Sequence, residues 1–321
     1  MIDTFQIGIK EDFEICESNR LIKRTDLNQE TGQVFVKFFF NNEILNLTID
    51  FKGLSVKTNL AKLYGLGENN FYPLGANSFE TAIDTLERAL DDIGIIADLD
   101  KAEIWRLDIF KNVETSKPYG VYKDVLQSLN LKRTSSRQYP DGYLMRNGLR
   151  EVMFYNKVRE LKEKLGLGYV RQLGLESENV VRGELRLLKH KEVKKYGIEY
   201  LKDIPDKWED LKKIYKKYMS EVFRYEFQGG GESLRVEDLR ALISNAMISL
   251  ILHGKSALKY YGYYPYSFVN RDELLNALMN HFSRAQSFRI LSEIEKFKKN
   301  SLMKDTDYKM LYDELKEKFL S

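Results

Sequence analysis

Glu151-Val152-Met153-Phe154-Tyr155-Asn156-Lys157-Val158-Arg159-Glu160-Leu161 reads as a strand, Glu151 to Tyr155, running straight into a helix, Val158 to Leu165. Two further apolar runs read as strands: Ile104-Trp105-Arg106-Leu107-Asp108-Ile109-Phe110 and Val180-Val181-Arg182-Gly183-Glu184-Leu185-Arg186-Leu187. Side chains on a strand alternate between faces. Arg106 therefore shares a face with Asp108, and Arg182 shares one with Glu184 and Arg186. A face of that kind is either solvated or built around an anion or a metal. For Arg106 and Asp108 an ion pair at a sheet rim is an equal alternative. A tyrosine after an apolar run is usually a packing residue, yet one at a strand-to-helix junction can point out of the sheet, with Lys157 and Arg159 near enough to meet a phosphate.

Outward from these three segments, the first half is rich in strands. Phe5, Ile7 and Ile9 alternate with polar or small neighbours, Val34 to Phe40 is an aromatic and β-branched run, and Leu45, Leu47, Ile49 and Phe51 repeat with period two. Asn41-Asn42-Glu43 suits a tight hairpin. A Gly- and Asn-rich loop covers Tyr64 to Ser78, and a helix follows from about Asn77, with Asn77 and Glu80 resembling a capping box. Tyr119 to Leu129 has helical spacing. The reading is an α+β domain over residues 1–200, an antiparallel or mixed sheet with packed helices. Residues 201–321 read as a mostly helical C-terminal domain. Its helices are expected at Trp208 to Tyr218, Val236–Leu252, Arg271–His281, Ala285–Lys298 and Thr306–Phe319, with a connector at Gln228-Gly229-Gly230-Gly231.

Composition narrows the chemistry. The 321 residues are 43% hydrophobic and 31% charged, a globular balance. No run approaches the roughly 20 apolar residues that span a bilayer. Met1-Ile2-Asp3-Thr4 lacks the basic and apolar segments of a secretion signal, so a cytoplasmic protein is expected. The lone Cys16 excludes a disulfide framework. His190, His253 and His281 are not paired at metal-binding spacing, and no phosphate-loop or dinucleotide motif occurs. A net charge of +3 is weak support for a polyanionic partner, and the lysine clusters at 189–195 and 212–217 read first as solvated helix faces. The chemistry must then rest on carboxylates, tyrosine, lysine and arginine. A phenol attacks a phosphodiester when the phosphate charge is offset, the phenol loses its proton and the leaving oxygen is stabilised.

In order and spacing, Arg106-Leu107-Asp108, Phe154 to Leu161 and Val181 to Arg186 resemble the filamentous-phage gene II-type replication initiation endonucleases, relatives of phage and plasmid rolling-circle initiators. The likeness begins at Met1-Ile2-Asp3. It includes Val56 to Leu63, the Gly/Asn/Phe loop through Gly75, and Arg133-Thr134-Ser135-Ser136-Arg137, a basic Ser/Thr loop before the tyrosine strand, so that it covers about residues 1–200. It implies a cytoplasmic enzyme of a bacterial host that nicks and rejoins one DNA strand at a replication origin through a covalent 5′-phosphotyrosine. Tyr155 is then the nucleophile, aided by Lys157 and Arg106. Asp108 ligates Mg²⁺ or Mn²⁺ with Glu184 or Glu160, and Arg182, Arg186, Arg133 and Arg137 contact DNA. Implied partners are origin DNA, duplex and single strand, with host helicase and polymerase beside it, and no membrane. Two departures stand out: no His-hydrophobic-His site exists, and Gly183 occupies the place where related plasmid initiators carry tyrosine, which points back to Tyr155. His281 to Arg289 reads either as an ordinary amphipathic helix or as the opening of a recognition helix that brings Arg284 and Arg289 to DNA. The alternative function is an origin-binding protein on the same fold without catalysis.

Overall fold

The computed structural model describes residues 1–16, 20–27, 34–42, 45–65, 70–129, 131, 133–223, 275, 279, 283–288, 291–292 and 305–321. The chain forms two units, Met1–Glu114 with Arg133–Met219 and Thr115–Lys132 with Ser220–Ser321. A division near residue 200 thus differs from the structure at two places. The helix that starts at Trp208 stays with the first unit as far as Met219, and the segment after Glu114 belongs to the second.

In the first unit the described residues build a ten-stranded sheet. Its strands are β1 (Ile2–Ile9), β3 (Ile22–Leu27), β4 (Val34–Asn41), β5 (Leu45–Asp50), β6 (Gly53–Asn59), β8 (Glu103–Glu114), β9 (Ser135–Tyr139), β10 (Gly142–Arg146), β11 (Arg150–Asn156) and β12 (Val180–Leu187). They lie in the order β3-β4-β5-β6-β1-β8-β12-β11-β10-β9. Every pairing is antiparallel. The short β2 (Phe13–Ile15) and β7 (Ile95–Ala97) pair separately.

Alternation gives the sheet two unlike faces. Phe5, Ile7, Leu54, Val56, Leu107, Ile109, Val152, Phe154, Leu185 and Leu187 are all buried on one of them. That face is covered by helices, because its apolar area gains stability only when removed from water. Helix α1 (Leu60–Tyr64) follows β6 directly, with Asn59 capping it through the Lys62 amide, and buries Leu60 and Leu63. Helix α6 (Trp208–Val222) sets Tyr218 under the Arg150 guanidinium at 4.8 Å, and its Tyr215 hydroxyl donates to the Gly183 carbonyl at 3.1 Å. Helix α2 (Phe79–Asp91) meets α6 edge-on through Phe79 and Trp208. The short helix α5 (His190–Lys194) buries Glu192 and Val193. The opposite face of the sheet is polar.

Gly8 shapes that polar face. A Cβ on it would fall 2.0 Å from Trp105 Cζ2, so only glycine lets the indole lie flat across β1.

Several local expectations change. Helix α2 begins at Phe79 after a 3-10 turn at Ala76–Ser78, and its N-cap Ser78 makes no side-chain capping bond, so the Asn77–Glu80 box is not formed. Helix α4 spans Lys157–Gln172, with Asn156 as its N-cap accepting from the Arg159 amide. Gly166, at φ 85°, breaks it where the sequence suggested an end, and the chain then resumes helical geometry. Ser135–Tyr139, read as part of a loop, is the edge strand β9. The hairpin at Asn42 forms, its side chain accepting from the Leu45 amide at 2.7 Å.

In the second unit, helix α3 (Tyr119–Ser128) and helix α7 (Asp305–Leu320) are joined through Glu314. Its carboxylate accepts from the Ser116 amide at 2.6 Å, from the Ser116 hydroxyl at 2.8 Å and from the Tyr122 hydroxyl. Phe223 stacks on Phe319 at 5.8 Å. The expected connector at 228–231 and the helix at 236–252 lie outside the described residues, as do all of 271–281 except 275 and 279. Of 285–298, residues 285–288, 291 and 292 are helical.

Candidate active site

Strand register assembles the polar side chains of β8, β12 and β11 in three successive rows. Tyr155 faces Arg182, which faces Asn112; Met153 faces Glu184, which faces Phe110; Glu151 faces Arg186, which faces Asp108. Cross-strand neighbours on one face stand about 5 Å apart. The three segments singled out in the sequence therefore converge by pairing alone.

A chain of alternating charge links the rows. The Tyr155 hydroxyl donates to Glu184 Oε2 at 3.3 Å. Arg186 Nε donates to Glu184 Oε1 at 2.7 Å, and its Nη1 donates to Glu151 at 3.2 Å. Asp108 lies 3.9 Å from Arg186 Nε and accepts both Nε and Nη2 of Arg106, at 2.8 and 2.7 Å. Asp108 and Glu184 are almost fully buried, whereas Arg106 and Arg186 keep 22% and 25% of their side-chain surface. The site is thus open along its arginines. Arg106 and Asp108 do form an ion pair, and that pair belongs to the same cluster as Glu184.

At its other end the site is closed. Arg182 is fully buried, with Nε on Asn112 Oδ1 at 2.7 Å, Nη1 on Asp3 at 3.1 Å and Nη2 on the Asn70 carbonyl. Its guanidinium stacks 3.9 Å over the Phe110 ring. Asn70 also donates to Asp3 at 2.6 Å and accepts from Lys157 Nζ at 2.6 Å. Lys157, equally buried, is paired with Glu160 at 2.5 Å, and Lys164 holds the other oxygen of Glu160. Two sequence-based roles are corrected here. Arg182 and Lys157 do not reach the surface, so neither contacts DNA phosphate directly in this arrangement; they form the charged floor beneath Tyr155. Asp3, Asn70, Asn112 and Glu151 are site residues that the sequence did not single out.

Electrostatics follow from this burial. Burial raises the Tyr155 phenol well above its usual range, against the pull of Arg182. Burial lifts the Asp108 carboxyl to about 7, opposed by its bonds to Arg106 and reinforced by Glu184. Burial and the neighbouring Arg182 lower Lys157 to about 8. Burial works against Glu160 ionising, yet Lys157 and Lys164 overcome it and hold the carboxyl at about 2.

Asp108 and Glu184 share one face and one strand pair. Two carboxylates are the set that Mg²⁺ or Mn²⁺ takes when waters and a substrate phosphate complete its shell. No group of three or more metal-binding side chains occurs among the described residues. The two carboxylates that could meet a cation, Asp108 and Glu184, are both bonded to arginines here. Glu160 is bound by two lysines on α4, Lys157 and Lys164.

Arg137 lies in the same cross-sheet row as Glu184, on the edge strand, stacked 5.0 Å over Tyr139. Arg133 is exposed, at a positive φ of 59°. Arg284 belongs to the second unit and lies 5.9 Å over Phe288, and Arg289 is outside the described residues. His190 Nδ1 meets the Ile104 carbonyl at 3.0 Å, a structural placement. No helix among the described residues is long and apolar enough to cross a membrane.

A family model for the N-terminal part of a phage replication-associated protein, the gene II protein, matches residues 1–207. No curated protein matches the chain.

Proposed function

The chain belongs to the gene II protein family of phage replication-associated proteins, and from this premise we propose that it starts rolling-circle replication by nicking one DNA strand with Tyr155. The observation that carries the reading is the Tyr155 hydroxyl, 3.3 Å from Glu184 on the face shared with Asp108, Arg106 and Arg186.

The phenol oxygen attacks the scissile phosphorus and its proton passes to Glu184. The bond from phosphorus to the 3′-oxygen breaks, and that oxygen leaves as a hydroxyl after taking a proton from solvent. The 5′-phosphate stays on Tyr155, and reversing the steps rejoins the strand. Arg182 beneath the ring favours the phenolate that burial disfavours. Arg106 and Arg186, the open edge of the site, turn from their carboxylates to the non-bridging oxygens. Asp108 and Glu184 would hold Mg²⁺ or Mn²⁺, which would supply Lewis-acid stabilisation of the same phosphate. Arg133 and Arg137 hold DNA beyond the site. Arg284 and Arg289 make further contacts with the DNA, and host helicase and polymerase take over at the freed 3′-end in the host cytoplasm.

The test is incubation with supercoiled origin plasmid and Mg²⁺ or Mn²⁺, scoring open circles that carry covalently bound protein. Tyr155→Phe is expected to abolish them while retaining DNA. Nicking by the phenylalanine variant at the original rate removes the nucleophile assignment. A wild-type chain that retains DNA without nicking it supports the binding-only alternative.

A further inference from the structure

Beside the candidate site the polar face continues over β1, β6, β5 and β4, and register sorts its side chains into two parallel rows. One runs from Arg106 through Gln6, Lys57 and Asn46 to Asn41. The other runs from the Trp105 indole, flat across Gly8, through Ser55 and Thr48 to Phe39. The first row is cationic or amide-bearing at every position. The second has an aromatic ring at each end and small hydroxyls between. At about 4.8 Å per strand the rows extend about 19 Å from β8 to β4.

Lys57 is exposed, and neither it nor Arg24 has an ion-pair partner among the described residues. Arg24 lies 5.3 Å from the Phe39 ring on the same face. The two carboxylates nearby are already engaged, Asp26 by Lys37 at 2.7 Å and Asp50 by the Lys52 amide at 2.8 Å. Partial burial, helped by Arg106 and Arg186 and opposed by Asp108, lowers the affinity of Lys57 for a proton. The surface is therefore electrostatically continuous with the site.

Cations and amides beside exposed rings on one sheet face match a single nucleic-acid strand, whose phosphates and flat base faces are both accessible. A duplex hides those faces. We infer that the nicked DNA strand lies, unpaired, across β1, β6, β5, β4 and β3, with a phosphate on Lys57 in the first row, bases over Trp105 and Phe39, and a further phosphate on Arg24, which faces Lys37 on the other side of Phe39. The inference rests on the proposed nicking function for its direction toward Tyr155, but its binding surface is separable from the chemistry.

The test uses the full chain in EDTA and a short fluorescein-labelled oligodeoxynucleotide of mixed sequence, single-stranded or annealed to its complement. Lys57→Gln combined with Arg24→Gln is expected to weaken single-strand binding at least tenfold. It should also flatten the log–log salt slope by about 1.4, at about 0.7 for each of the two phosphates left without a cation. Phe39→Ala should weaken it about tenfold without changing the slope. Lys213→Gln, an exposed charge on α6, should change neither, and on the origin plasmid the double variant should raise KM with kcat kept. Single-strand affinity unchanged in the double variant overturns the assignment, and so does an equal loss for duplex, which makes the occupant double-stranded. Tyr155→Phe is scored separately: if it still nicks, the catalytic reading fails while the binding result stands.

Discussion

Burial lifts the Asp108 carboxyl to about 7, so near neutrality its two protonation states are comparably populated. The ionised form is the one a metal and Arg106 require, and the neutral form is the one the buried position prefers. An acid whose folded pKa lies above its unfolded value stabilises the fold fully below the unfolded value near 4, and that stabilisation is lost as pH rises through about 7. Activity and stability must therefore respond to pH with opposite sign. Nicking is expected to rise tenfold per pH unit up to about 7 and then level off, measured as kcat/KM on the origin plasmid. Asp108→Asn should abolish nicking, raise the melting temperature at pH 8 by on the order of 10 °C and leave it unchanged at pH 4. A lower melting temperature for the variant at pH 8 would show that the bonds to Arg106 outweigh burial. Period two put Asp108 on one face with Arg106 and Glu184 on one face with Arg182 and Arg186, as the strands show, whereas Tyr155 was singled out by its place at a strand-to-helix junction and by family resemblance. Asp3 and Asn70 were not, since their partner Arg182 lies 179 and 112 residues away and no local pattern announces such a bond.

Strands with apolar residues in alternation, such as β8, β11 and β12, were readable because one face must be buried. β9 and β10 were not. Ser135–Tyr139 is polar throughout and belongs to the sheet only because β10 offers it a ladder. β6 was read only as a stretch of family likeness, although Leu54 and Val56 face the core. Pairing also decides how closely ring and backbone approach. Gly8→Ala places a methyl where the Trp105 ring now lies, so the indole must lift from β1. The expected cost is about 1–3 kcal/mol in urea unfolding, with a shift in Trp105 emission recorded in a Trp208→Phe background. Equal stability and unchanged emission would mean that the ring does not rest on Gly8.

The family match ends at residue 207, one residue before α6 begins at Trp208. The sheet's packing does not end there. Trp208, Leu211, Ile214 and Tyr215 are all buried, Trp208 against Phe79 and Tyr215 on the Gly183 carbonyl. At about 1.5–3 kcal/mol for each large apolar side chain, their loss is comparable with the net stability of a whole domain. A 1–207 fragment is therefore expected to show no cooperative thermal transition by circular dichroism, whereas the full chain does; a transition at the full-length temperature would refute this dependence. The second unit has a dependence of its own. Ser116 and Tyr122 find Glu314 across 198 and 192 residues. A ribosome adding about 5–20 residues per second delivers Glu314 roughly 10–40 seconds after Ser116. Over that interval the nascent α3 has Tyr122 and its apolar neighbours without their partner helix, a waiting hydrophobic surface for a chaperone to shield. Completion of α7 thus sets the earliest moment at which this half of the molecule can mature.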